Sequence, residues 1–342
     1  MNEMQCLLQH SVSANASDLH VSAGSPIMIR VLGAMQKVDG QDITQERAES
    51  MINQILSDVQ IEYLTKENEI DFSLDLPEVG RFRVNVFHQR QGLGAVFRTI
   101  PDKIPTMEEL HLPKAINELI DLENGLILVT GPTGSGKSTT LASMINYINE
   151  NKDGHIITIE DPIEFIHKSI KCVVNQRQIG TNTHSFANAL RSALREDPDY
   201  ILVGEMRDLE TIALALTAAE TGHLVFGTLH TSSAPKAITR IIDIFPSDQK
   251  HQIRLQVAES LRCVVAQRLY RRRDNTGRIA AFELMIATQA IRNLIREDKI
   301  FQIDSVIQTG RQIGMQSLEQ SKRQLVSEGM LPSEYLDERS VF

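Results

Sequence analysis

The segment Gly131–Thr139, GPTGSGKST, constrains this chain more than any other, because it satisfies the spacing GxxxxGK[ST] in full. An apolar run, LILVT, leads into it and an amphipathic stretch, TTLASMINYI, leads out. The turn is therefore expected to join a buried strand to the first turn of a helix. Gly131, Gly134 and Gly136 free the backbone to curl until its N–H groups converge, with Pro132, Thr133 and Ser135 completing the loop. The helix N-terminus adds partial positive charge, and the combination receives phosphate. In such a cradle Lys137 neutralises the β- and γ-phosphates, the Ser138 hydroxyl coordinates Mg²⁺, and Thr139 closes the motif. ATP with Mg²⁺ is the expected ligand.

The surrounding text supplies a fold for this loop. GLILVTG, HIITIED, DYILVGE and HLVFGTLH are continuous apolar runs, the pattern of parallel strands covered on both faces. Helical stretches over Ser138–Ile148, Phe186–Arg195 and Leu209–Glu220 separate them, which predicts a doubly wound α/β domain over 115–342. Beyond Pro246 the text reads as mostly helical, beginning with an amphipathic segment from Ser247 to Tyr270, with C-terminal helices from about residue 285. Before the loop, residues 1–101 read as a small α+β domain. MIRVLGAMQKV and RFRVNVFHQ alternate with period two, and TQERAESMINQILSDVQIEYL carries Ile52, Ile55, Leu56 and Val59 at helical spacing behind Thr44 as a cap. The proline-containing stretch 102–114 reads as a linker.

Ligands of such sheets lie beyond the carboxyl ends of the strands. HIITIED ends in Glu160 and Asp161, DYILVGE in Glu205, and HLVFGTLH in His230. Phosphoanhydride hydrolysis needs one group to orient or deprotonate water and another to fix the metal, and two carboxylates on neighbouring strand ends meet that need. His223 and His230 lie an odd number of residues apart on one strand, so their side chains take opposite faces and share no metal. His230, at the strand's end, is the candidate for touching phosphate, whereas His223 is open to a packed or capping role.

Composition narrows the classes. The net charge of -9, with 5% aromatic residues and no Trp, opposes direct nucleic-acid binding. Cys6, Cys172 and Cys263 form no CxxC pair, which argues against structural zinc and for a reducing compartment. Met1–Ala16 lacks the basic flank and apolar run of a signal peptide. No stretch reaches the roughly 18 apolar residues of a membrane span, so membrane contact is expected only through partners. The basic run Arg271–Arg273 reads either as a solvated face or as a contact for anionic lipid or an acidic partner.

Together, GPTGSGKST, ITIEDPIEFIH, LREDPDYILVGEMRD and TAAETGHLVFGTLHT resemble, in order, the Walker A, Asp box, Walker B and His box of the secretion ATPase superfamily. Within it, ASDLH, RFRVNVFHQRQGLGAVFRTIP and AIRNLIRE resemble the type IV pilus retraction ATPases, the twitching-motility motors. The resemblance covers essentially the whole chain. It implies a RecA-like ATPase domain behind a PAS-like N-terminal domain, and a homo-hexameric ring with ATP at the subunit seam. It further implies a cytoplasmic position at the inner-membrane base of the pilus, an inner-membrane platform protein as partner, and room for a second retraction ATPase. It makes Glu160 the general base, Glu205 the Walker B acid, His230 a neighbour of the γ-phosphate and His223 part of the His box. Arg81, Arg83 and Arg98 become the arginines that reach phosphate from the N-terminal domain. Such arginines stabilise charge on the transferred phosphoryl group. AIRNLIRE becomes a segment needed for retraction beyond ATP turnover. The absent tetracysteine element and the short N-terminal region favour retraction over pilus extension or type II secretion. A nucleotide-sensing regulatory module is the alternative of a different class, and the presence of both Glu160 and Glu205 opposes it.

Overall fold

A computed structural model describes residues 2–100 and 103–337, apart from the side chains of Asp39 and Asp337. The chain divides into two compact units, Met1–Lys103 and Ile104–Phe342. The first unit opens with α1 (Glu3–Ser13), then β1 (Asp18–Ser22), β2 (Pro26–Val31) and β3 (Ala34–Asp42). It continues through α2 (Gln45–Asn53), α3 (Asp58–Glu67), β4 (Glu69–Leu76), β5 (Gly80–Gln89) and β6 (Gly92–Ile100). The six strands form one antiparallel sheet in the order β3-β2-β1-β6-β5-β4. Phe82, Val84 and Val86 on β5 are fully buried with Phe97, Leu19, Met51 and Ile52. Arg81 and Arg83, at the alternate positions of the same strand, take its other face.

Two sequence expectations change here. MIRVLGAMQKV is a hairpin, not one strand: Leu32 and Gly33 turn β2 into β3 with positive φ. The helix expected through Leu64 is two helices. Thr44 does cap the first, and Ser57 starts the second with a reciprocal capping box to Gln60. The break carries Val59 off the apolar stripe, and it is 76% exposed.

The second unit contains α4 (Ala115–Ile120), β7 (Gly125–Thr130), α5 (Lys137–Asn151), β8 (Gly154–Glu160), β9 (Cys172–Gln178) and α6 (Phe186–Ala193). Next come β10 (Tyr200–Val203), α7 (Leu209–Glu220), β11 (Leu224–Leu229), α8 (Ala234–Asp243), α9 (Lys250–Ser260), β12 (Leu261–Arg271) and β13 (Arg278–Ile286). Helices α10 (Gln289–Arg296), α11 (Ile303–Thr309), α12 (Leu318–Ser327) and α13 (Glu334–Asp337) complete it. The sheet order is β13-β12-β7-β11-β10-β8-β9, parallel throughout except for the β12–β13 hairpin. β7 and β11 are buried at every position, and helices cover both faces of the sheet with separate apolar clusters.

The segment expected to run helically from Ser247 to Tyr270 stops at Ser260. Cys263, Val264 and Val265 enter the sheet between β7 and β13, where β-branched side chains pack well. β9 is an edge strand that the sequence reading passed over. The expected linker over 102–114 is also shorter than its prolines suggest. From Ile104 the chain belongs to the second unit, and Met107 and Leu112 are buried in its core; Asp102 lies outside the described residues.

Burial separates sensitive from tolerant positions. Phe226→Ala, on the central strand β11, should cost about 3–5 kcal/mol, whereas Val59→Ala should stay within about 0.5 kcal/mol. Urea unfolding of both variants tests the assignment, and equal midpoints would contradict it.

Candidate active site

β7 delivers the chain into the glycine loop and α5 carries it away. Gly131, Gly134 and Gly136 have φ of 153°, 75° and 88°. At Gly131 the need for glycine is steric as well, since a Cβ would lie 2.5 Å from the Gln267 carbonyl oxygen. Gln267, on β12 and 3% exposed, also donates from Nε2 to the Ser135 carbonyl at 2.6 Å, so the neighbouring strand braces the loop from behind. The Lys137 ammonium folds over the loop and donates to the carbonyls of Gly131 (3.0 Å) and Pro132 (3.2 Å). Burial holds its pKa below the usual lysine range, while the charges of Glu205 and Glu164 act the other way. Ser138 stands in the first turn of α5, partly accessible beside the lysine.

The ends of β10 and β11 meet this loop. Thr130 donates to the Thr231 carbonyl at 2.7 Å and accepts from the Thr231 N–H at 3.0 Å, which ties the exit of β7 to the exit of β11. Glu205 follows β10, and its Oε1 receives His230 Nε2 at 3.0 Å and is ion-paired with Arg207. Lys137, Glu205 and His230 therefore form one polar cluster around the loop. A cavity of about 220 Å³ beside it is lined by Pro132, His230, Ser232, Gln267, Arg268 and Glu283. The larger cleft of this unit, about 1040 Å³, runs between Met107–Asn117 and α12 and touches none of these residues.

Glu160 ends β8, two strands from β11. Its carboxylate accepts from Thr158 Oγ1 (2.7 Å), Gln176 Nε2 (3.2 Å) and the Glu164 N–H. Burial still holds its pKa above the usual carboxylate range, because these donors only partly replace lost hydration. As to a metal, a Ser hydroxyl and a carboxylate are hard oxygen ligands that suit Mg²⁺. Among the described residues no group of three or more His, Cys, Asp and Glu side chains could hold an ion.

Not every expected residue joins this cluster. His223 immediately precedes β11, at the opposite end from His230 and about 20 Å away at strand spacing. Its Nδ1 lies 2.9 Å from the Ala218 carbonyl, so it caps the end of α7 instead of facing the loop. Arg81, Arg83 and Arg98 belong to the first unit. Arg83 and Arg98 stand directly opposite each other in register, and Arg98 donates from Nε to Asp18 at 3.0 Å. Arg271 and Arg273 are exposed where β12 turns toward β13. Sequence reasoning missed Arg207, Thr158, Gln176 and Gln267. Thr158 was findable, since it shares a strand face with Glu160.

A family model, the type II/IV secretion system protein, matches residues 2–337. The chain is 54% identical over 334 residues to the type IV pilus retraction ATPase PilT of Pseudomonas aeruginosa, covering 98% of this chain and 97% of that one. It is 52% identical over 323 residues to a twitching motility protein of Neisseria gonorrhoeae, covering 94% and 86%. The crystal structure of the pilus retraction motor PilT with bound ADP superimposes with a TM-score of 0.91 at 46% identity, covering 100% of this chain and 98% of that one. With residues 2–337 matched by the family model, this protein belongs to the type II/IV secretion system protein family.

Proposed function

We propose that the chain is an ATP-hydrolysing motor that drives type IV pilus retraction and twitching motility, working as a homo-hexamer on an inner-membrane platform protein. The observation that carries the enzymatic half is the convergence of Lys137, Glu205 and His230 on a glycine loop. The retraction half rests on likeness along nearly the whole length to a pilus retraction ATPase and a twitching motility protein. A position at the cytoplasmic face of the membrane follows from that load; no helix among the described residues is long and apolar enough to cross a bilayer. A second retraction ATPase as companion is consistent with 38% identity to the type IV pilus ATPase PilU of Pseudomonas aeruginosa.

In this reading the N–H groups of Gly131–Gly136 and the Lys137 ammonium receive the β- and γ-phosphates. Ser138 and Glu205 would hold Mg²⁺, which would supply charge neutralisation on the phosphate oxygens. Glu160 accepts a proton as a water oxygen bonds to the γ-phosphorus. The bond from that phosphorus to the bridging oxygen breaks, and its electron pair leaves on ADP. His230, held by Glu205, faces the phosphoryl group as it departs. Arg81, Arg83 and Arg98 come to the nucleotide from a neighbouring subunit's N-terminal unit. Arg83 and Arg98 stand directly opposite on adjacent strands, and Arg98 would exchange its ion pair with Asp18 for phosphate.

Purified protein of known oligomeric state should hydrolyse ATP, with Lys137→Ala and Glu205→Ala each lowering kcat by roughly 10²–10³-fold. Arg83→Ala should also lower it, and wild-type turnover in that variant would remove the arginines from the site. A folded ring that binds ATP but turns none over even with its platform partner would point to a regulatory module instead.

Glu160 gives a pH signature. Its raised pKa means the deprotonated base becomes scarce as pH falls through a value above the ordinary carboxylate range. The acid limb of kcat should lie correspondingly high, and a limb in the ordinary Glu range would count against Glu160. For the load, deletion of the gene should leave cells over-piliated and non-twitching; bald cells would indicate an extension motor.

A further inference from the structure

β8 and β9 pair in parallel with Thr158 opposite Gln176 and Glu160 opposite Gln178. Thr158 and Glu160 share one face of β8, and the register brings Gln176 to that same face. The Gln176 amide is fully used. Its Nε2 donates to Glu160 Oε1 (3.2 Å) and to the Phe165 carbonyl (2.8 Å), and its Oε1 accepts the His167 N–H (2.8 Å). An amide so committed has one orientation, with nitrogen toward the carboxylate. Thr158, fully buried, donates to the same Glu160 oxygen at 2.7 Å.

We propose that Gln176 and Thr158 are positioning residues for the hydrolytic step: by holding Glu160 Oε1 they fix the rotation of the carboxylate that takes the proton from water. The inference rests on Glu160 being the general base. Two side-chain hydrogen bonds to one oxygen are otherwise an uneven way to solvate a carboxylate. The arrangement secures angular precision, which in general-base chemistry is worth more than the two bonds contribute to stability. Gln176 does a second thing. Because the same amide holds Phe165 and His167, the segment between β8 and β9 is tied to the orientation of the base, and movement of that segment would rotate Glu160. Ile166 and Ile170 in this segment are exposed while Phe165 and His167 are buried, so it is anchored from beneath through Gln176.

Both residues donate to the ionised form of Glu160, opposing the effects of burial and of the like charge on Glu164. Their removal should therefore move the acid limb of kcat to higher pH. The experiment is steady-state ATP hydrolysis by the full-length oligomer across pH, for wild type, Gln176→Leu, Thr158→Val and Glu160→Gln. We expect kcat on the plateau of Gln176→Leu and Thr158→Val to fall about tenfold with KM for ATP within about twofold of wild type. A wild-type kcat and limb in both variants would overturn the proposal, as would a rate lowered equally at every pH. The near-isosteric Thr158→Val keeps the test decisive should Gln176→Leu fail to fold. Glu160→Gln separates the two layers. Turnover surviving in that variant defeats the base assignment itself, whereas its loss beside unaltered Gln176→Leu and Thr158→Val kinetics defeats only the positioning.

Discussion

The site depends on the parallel register of β7 against β11, which sets Thr130 opposite Leu229. Both strands are apolar and buried along their length, so neither can slide or rotate without moving its whole side-chain set out of the core. The register delivers the glycine loop and His230 to the same end of the sheet, and the Thr130–Thr231 hydrogen bonds lock the two exits together. β10 then brings Glu205 within reach of His230, and β12 brings Gln267 behind the loop. A catalytic constellation drawn from four strands is held by backbone ladders, which supply rigidity that loops alone would not.

Much of this was legible because motif and context agreed. The glycine loop is readable from residue type alone, since only glycine takes the backbone angles and the clearance that Gly131 requires. The strand-end positions of Glu160, Glu205 and His230 were legible because apolar runs announce where a buried strand ends, and polar residues there must face solvent or ligand. The same logic failed for CVVNQRQ. An edge strand is covered on one side only, so its pattern mixes buried and exposed residues and looks like a loop; with β9 unseen, Gln176 had no visible link to Glu160. LRCVVAQRLYR failed for the opposite reason. Its run follows a helix without a glycine or proline, and only its neighbours β7 and β13 settle it as a strand. The capping role left open for His223 matches its place, with the ring against the end of α7.

The two carboxylates differ in a way that supports different roles. Glu205 lies beside basic side chains: it pairs with Arg207, meets His230 Nε2, and its charge acts on Lys137. Ion-pair partners of this kind suit a carboxylate that serves a metal's water shell. Glu160 has no cation against it among the described ion pairs; it has hydroxyl, amide and N–H donors, and its environment favours taking up a proton. One fold thus provides an acceptor of charge and an acceptor of protons by varying only what each strand end meets, the pattern expected where acid–base and electrostatic tasks are divided.

That division also explains why precision matters more at one carboxylate than at the other. A metal's water shell tolerates small rotations of Glu205, because the electrostatic attraction varies slowly with angle. Proton transfer to Glu160 does not, since it requires a lone pair aimed along a hydrogen bond to one water. The structure spends its directional bonds accordingly. Glu205 is held by ion pairs, whereas Glu160 is held by a buried hydroxyl and by an amide whose every polar atom is engaged. An edge strand, the least covered element of the sheet, thereby becomes part of the catalytic machinery through one glutamine.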